Sequence, residues 1–302
     1  MPVSIKSFTS RTFLPRGCLL SMVAALVSAC AMQEGAQSCS APDAATVQRL
    51  YVINCGQIEI KDLSRWSPPG VNVGKAFEFS DNCYLIQHRK GWMLWDSGLP
   101  DSLVATPEGV SMANGAFVTK RAKTLASGLA EIGVAPAQIT RIAFSHTHAD
   151  HVGNANMFAG ATLYMQQTEY DVAFGPEPNK FNFYPSYYEQ LRTTPVVKLH
   201  GDYDVFGDGS VTIISTPGHT PGHQSLMVRL PKKGTLILSG DLAHFEENWK
   251  NRFAPAFNFN HDQSVASMEK VAALLEENHA VLWINHDKAQ SDTIPHSPAY
   301  VE

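Results

Sequence analysis

The chain is poor in charge, in cysteine and in long apolar runs, and each scarcity excludes something. Charged residues fill only 17% of the 302 positions, with 23 Lys and Arg against 28 Asp and Glu, for a formal net charge of −5. No basic excess is available to neutralise phosphates, which argues against a nucleic-acid partner. The 44% hydrophobic content excludes a disordered chain, which would combine low hydrophobicity with high net charge. Five cysteines are too few for a disulfide scaffold. Beyond the N-terminal segment, no apolar run approaches the ~20 residues a membrane-spanning helix needs.

Acidic residues are missing before Glu34, while Lys6, Arg11 and Arg16 make the start positive. Gly17 to Ala29 is a mostly apolar run, too short to span a bilayer but with the length and flanks of a secretory signal. It ends in Val27-Ser28-Ala29-Cys30, which resembles the lipobox of bacterial lipoproteins, where the Cys is lipidated and becomes the mature N-terminus. Ordinary cleavage near Ala31 or Ala36 is the alternative. The expected division is an export signal over residues 1–30, a small and polar tether over 31–45, and a folded domain over 46–302. The expected location is the periplasm, with a lipid anchor if Cys30 is modified. Cys39, Cys55 and Cys83 remain in the mature body. An oxidising compartment then allows one disulfide and one free thiol, with the pairing open.

From Leu50 onward, short apolar runs recur between Gly, Pro, Asn and Asp. Strands are expected at 51–53, 83–86, 92–95, 141–144, 162–165, 211–214, 225–228, 235–238 and 281–284. Helices are expected at Asp262 to Glu277, where Val265, Met268, Val271, Ala272 and Leu275 recur at spacings of three and four, and at Lys120 to Ile132 and Gln166 to Ala173. Many strands with a few interleaved helices predict one α/β domain with two sheets.

The densest chemistry is Ser145-His146-Thr147-His148-Ala149-Asp150-His151, directly after an apolar strand. Alternate side chains in an extended stretch point the same way, so a strand end opening into a loop can converge several donors on one point. Imidazole and carboxylate together suit Zn²⁺ and its borderline neighbours. Three later strands also end in ligand types: Thr216-Pro217-Gly218-His219, Ser239-Gly240-Asp241 and Asn285-His286-Asp287. Each alone is an ordinary turn. Together with the first run they read as one metal site.

This His-x-His-x-Asp-His run, followed by His, Asp and His, resembles the metallo-β-lactamase superfamily. The segment Thr216-Pro217-Gly218-His219-Thr220-Pro221-Gly222-His223-Gln224-Ser225-Leu226 is similar to N-acyl-homoserine lactonases, as are Gln167-Thr168-Glu169-Tyr170 and Gly201-Asp202-Tyr203-Asp204. The resemblance implies an αββα sandwich with a dinuclear metal site at one edge of the sheets. It implies two divalent metal ions, Zn²⁺ first among them: His146, His148 and His219 on one, Asp150, His151 and His286 on the other, and Asp241 bridging. The implied reaction is opening of a lactone ring by hydroxide held between the metals, with Asp150 also carrying the proton to the leaving oxygen. At the position three residues after the bridging Asp, where these lactonases have Tyr, this chain has His244. Its imidazole can donate one hydrogen bond to substrate in place of the phenol; the alternatives are an idle side chain or a different substrate. Phe245, Trp249 and the aromatic stretch from Phe181 to Tyr188 are candidate walls for an acyl chain, although core packing is the simpler reading of that stretch. Asp96 and His223 read as supports of the ligand loops or as ordinary structural residues. The segment Asp101 to Phe117 reads as a surface excursion, which in related enzymes helps form a homodimer. Two other readings use the same scaffold or fold: a phosphotriesterase or general esterase, and a binding protein without activity.

Overall fold

The computed structural model describes residues 46–302. The expected export signal and tether, with Cys30 and Cys39, lie outside the described residues.

Two long, largely buried strands start the fold, β1 (Val47–Ile60) and β2 (Phe77–His88). They pair antiparallel, and β2 pairs antiparallel with β3 (Gly91–Trp95). A short hairpin of β4 (Val110–Met112) and β5 (Phe117–Lys120) extends the sheet beyond β1. On the other side β6 (Ile139–Ala143), β7 (Thr162–Gln166) and β8 (Val196–Leu199) follow β3 in parallel, giving the order β4-β5-β1-β2-β3-β6-β7-β8. A second sheet, β13-β12-β11-β10-β9, contains β9 (Tyr203–Asp204), β10 (Val211–Ser215), β11 (Gln224–Leu230), β12 (Gly234–Leu238) and β13 (Val281–Trp283).

Side-chain alternation explains why the sheets stack in layers. On β2, Tyr84 and Ile86 face the second sheet, where they pack with Met93, Trp95, Leu226, Val228 and Leu238. Cys83 and Leu85 face the other way, into a core with Leu125 and Leu129 of helix α1 (Leu125–Ile132). A strand buried on both faces reads as an unbroken apolar run, as 83–86 does. The outer face of the second sheet is covered by the long helix α5 (His261–Glu277), whose Met268 and Val271 pack on Ile214, Ile237 and Leu282. Asn260 caps α5, accepting from the Gln263 N–H at 3.0 Å. The shorter helices are α2 (Ala149–Val152), α3 (Gln167–Ala173), α4 (Glu246–Asn251) and α6 (Lys288–Ser291). The layers therefore run helix, sheet, sheet, helix. Among the described residues no helix is long and apolar enough to cross a membrane.

Two sequence expectations are corrected. The helix expected from Lys120 begins at Leu125, because Lys120 pairs with Gln57 in the sheet and Thr124 caps the helix. The segment 101–117 is not merely an excursion: it supplies β4 and the start of β5, and so the end of the larger sheet. Cys55 and Cys83 form a disulfide.

Candidate metal centre

Five strands end on the same edge of the sandwich and deliver the polar side chains there. β3 leads into Asp96, β6 into His146, β10 into His219, β12 into Asp241 and β13 into His286. Strand ends are rigid anchors for loop residues, so donors far apart in the chain arrive at fixed separations.

The structure brings all seven expected ligands together. His146, His148 and His219 form one group, and Asp150, His151 and His286 another, with the ligand atoms of each within 4.8 Å of one another. Asp241, 4% exposed, lies between them. Its Oδ2 faces His146 at 3.8 Å and His219 at 3.4 Å, and its Oδ1 faces His151 at 3.2 Å and His286 at 3.0 Å.

Outer hydrogen bonds orient four of these imidazoles so that the inner nitrogen can offer a lone pair. The far nitrogen of each faces an acceptor: His148 Nε2 the Phe181 carbonyl at 3.2 Å, His219 Nδ1 the Asn258 side-chain oxygen at 3.0 Å, His286 Nδ1 the Ser80 carbonyl at 2.7 Å. His151 Nδ1 faces Asp96 Oδ2 at 3.0 Å. An acceptor there places the proton on the outer nitrogen and frees the inner one for a cation. His146 Nδ1 meets the Ser145 hydroxyl at 3.1 Å.

Charge in the centre is unbalanced in a way that cations would correct. Burial lowers His146, His148 and His219, which keeps those imidazoles neutral. Burial would also lower His286, but the Asp241 carboxylate outweighs it and brings His286 to about 9. His151 is likewise raised against burial by Asp241 and Asp96. Burial would raise Asp241, yet the surrounding imidazoles, His286 foremost, hold it well below its ordinary value. The centre thus draws protons to offset a buried carboxylate, and divalent cations displace such protons when they bind. His151 Nε2 and Asp241 Oδ1 are buried without a hydrogen-bond partner, as expected of donors arranged for a metal. On these observations the residues fit a pair of divalent ions.

Asp96 and His223 support the ligands directly. Asp96 Oδ1 accepts from the Ser145 N–H at 2.6 Å, and its φ of 58° turns the chain sharply after β3. His223 Nε2 accepts from the Asp241 N–H at 2.9 Å, and burial lowers this imidazole to about 3, so it stays neutral. Nothing in the sequence marks Asn258 or Ser80 as a support. A lone Asn or a backbone carbonyl carries no motif, and only the packed structure places them beside a ligand.

The centre forms the floor of a cavity of about 650 Å³, with Ile58, Ile60, Trp66, Phe79, Leu103, Val110, Phe117 and Phe257 among its walls. Asp150, His148, His219, Asp241, His244 and His286 face it. The aromatic stretch divides: Phe183 and Tyr188 are core, while Tyr184 and Tyr187 line the cavity. Phe245 and Trp249 are not among the lining residues, which corrects their expected substrate contact. Phe245 is packed behind Phe79 at a ring separation of 6.2 Å, and Trp249 packs on the cluster of Leu242, Met268 and Val271. Their bulk is spent on the core.

His244 is 3% exposed. Its Nε2 lies 3.3 Å from Asp241 Oδ2, and its Nδ1 is buried without a partner. Unlike the imidazoles above it has no outer acceptor.

Residues 77–278 match the model of the metallo-β-lactamase superfamily. The chain is 30% identical to the N-acyl homoserine lactonase AttM of Rhizobium johnstonii, over 83% of this chain and 98% of the relative. It is 28% identical to the N-acyl homoserine lactonase AiiA of Bacillus thuringiensis subsp. kurstaki, over 85% of this chain and 100% of the relative. Among solved structures, an AiiA variant from B. thuringiensis with N-decanoyl-L-homoserine bound at its active site superposes with a TM-score of 0.73 at 27% identity, covering 85% of this chain and 100% of that one. The strand-end centre, the layered sandwich and these likenesses agree: the chain belongs to the metallo-β-lactamase superfamily and, within it, to the N-acyl homoserine lactonase family.

Proposed function

We propose that this protein is a metal-dependent hydrolase that opens the lactone ring of N-acyl-homoserine lactones, and so quenches signals built from them. One observation carries the reading: a seven-donor metal centre forms the floor of an apolar cavity of about 650 Å³. A polar head opposite the donors and an apolar tail along the walls is the ligand such a cavity accepts.

His146, His148 and His219 would hold one ion, Asp150, His151 and His286 the other, with Asp241 shared. Two divalent ions held there would supply water activation at neutral pH and a Lewis acid for the ester. The rest belongs to the side chains. Of the two carboxylates in the set, Asp150, whose side chain is 23% exposed, is the more open to the cavity, Asp241 being 4% exposed. Its carboxylate takes the proton of the attacking water and delivers it to the departing ring oxygen. His244 lines the cavity. A neutral imidazole has one N–H, and donated to a substrate oxygen it stabilises the charge that develops there. The apolar walls hold the acyl chain and exclude water from the reacting bond.

Three finer readings accompany this one. Zn²⁺ suits the His and carboxylate donors. Export is supported by the Cys55–Cys83 bridge, since disulfides persist in oxidising compartments, and the Cys30 sequence favours a lipid anchor. Edge strand β4, with Met112 exposed, offers a surface for pairing with a second copy.

Hydrolysis of homoserine lactones of increasing acyl length, beside aryl phosphotriesters and β-lactams, tests the assignment. Lactone kcat/KM is expected about 100-fold or more above the others, abolished by chelation and restored by metal. Turnover of phosphotriesters without lactones would replace the assignment. An N-terminal peptide starting at lipid-modified Cys30 would establish the anchor, and one starting at Ala31 or Ala36 would remove it.

A further inference from the structure

Glu169 takes no direct part in the centre described above. It lies on α3 and is 1% exposed. A buried carboxylate is costly unless it is hydrogen-bonded, and its two oxygens are divided between two loops. Oε1 accepts from the Thr147 N–H and Oε2 from the Gly222 N–H, each at 2.9 Å. Thr147 stands between His146 and His148, and Gly222 lies on the same loop as His219. That loop is pressed against α3. A Cβ on Gly222 would fall 2.5 Å from the Glu169 backbone nitrogen, and the Thr168 hydroxyl donates to the Pro221 carbonyl at 3.2 Å. Asp96 plays the matching part on the other side, bonding the Ser145 N–H and His151.

We propose that Glu169 is a positioning residue for the His146–His148–His219 group: one carboxylate fixes the separation of the two loops that carry these donors, and thereby sets the affinity for the cation bound there. The proposal rests on reading those three side chains as ligands of one ion. Replacing the carboxylate by an amide leaves one acceptor and turns an N–H donor against a backbone N–H.

The test uses the full chain loaded with metal. Glu169→Gln is expected to lose 10- to 100-fold in affinity for one of two metal equivalents, read by competition with a chelator of known affinity. The visible spectrum of the Co²⁺-substituted protein should lose the contribution of that ion alone, and saturating metal should restore kcat. Gly222→Ala forces the same loop away from α3 and should weaken the same equivalent, so it decides the matter if the Gln variant does not fold. Two tight equivalents with an unchanged spectrum in the variants would overturn the role of Glu169. Equal weakening of both equivalents would overturn it too, by assigning the carboxylate to general stability. Fewer than two equivalents in the unaltered protein would instead sink the dinuclear reading itself.

Discussion

Asp150 and His244 both face the cavity, yet chemistry separates them. Asp150 is the carboxylate among the donors with access to solvent, and proton transfer by a placed carboxylate contributes about 10²- to 10⁴-fold to rate. Asp150→Asn, assayed at saturating metal with both equivalents confirmed by elemental analysis, is therefore expected to lower kcat by that factor. Near-normal kcat would remove its proton role. His244 is a donor to substrate, so His244→Ala should lower kcat/KM by about 100-fold, with His244→Tyr recovering part of it through the phenolic O–H. Equal activity in all three proteins would show the imidazole to be idle. The donor types themselves were legible in the sequence, since His and Asp clustered at 146–151 have few other uses. Asn258 and the Ser80 carbonyl were not, because a backbone oxygen beside His286 is created by pairing distant segments.

Among elements, the decisive ones are short turns just past the strand ends. Gly240 has φ 56°, and a Cβ there would meet Ser145 Cβ at 2.5 Å and His223 Nε2 at 2.8 Å. Gly240→Ala should cost about 1–3 kcal/mol in strain and shift Asp241, which isothermal titration would report as weakened binding of both ions. At the opposite end of β2 the turn after β9 is tied down by Asp208, which accepts from the Thr46 hydroxyl at 2.8 Å and faces His88 at 3.0 Å. Burial would raise this carboxyl, but bonds from Ser210 and Thr46 outweigh it and bring it to about 2. A depressed carboxyl stabilises above its unfolded pKa of about 4 and loses that contribution as pH falls through about 2. Asp208→Asn should accordingly flatten the stability profile between about pH 4 and pH 2, by about 1 kcal/mol after solvent screening. An unchanged acid limb in denaturant melts would contradict this. Strand positions were readable because β2 is apolar on both faces. The β4–β5 hairpin was not, since its residues are half exposed and pair only because β1 runs far enough to receive them.

For the whole molecule, the Cys55–Cys83 bridge ties β1 to β2 across a separation of 28 residues. Closing such a loop in the unfolded chain stabilises by about 3–4 kcal/mol on a chain-entropy estimate. The double variant Cys55→Ala/Cys83→Ala should lose an amount of that order in urea melts of the metal-loaded protein. An unaltered midpoint would show that the bridge adds nothing to the packed sandwich. Both sulfurs are fully buried, so mild reductant applied to the folded protein should leave the bond intact.

The sequence alone determined the kinds of donor, their placement after apolar strands and the layered class of fold, because alternation along a strand and the chemistry of a turn are local properties. Tertiary structure alone decided which cysteines join, that Phe245 serves the core while Tyr184 and Tyr187 wall the cavity, and that Glu169 touches two ligand loops at once. Those outcomes are distances between residues remote in the chain, and only the stacking of two sheets sets them.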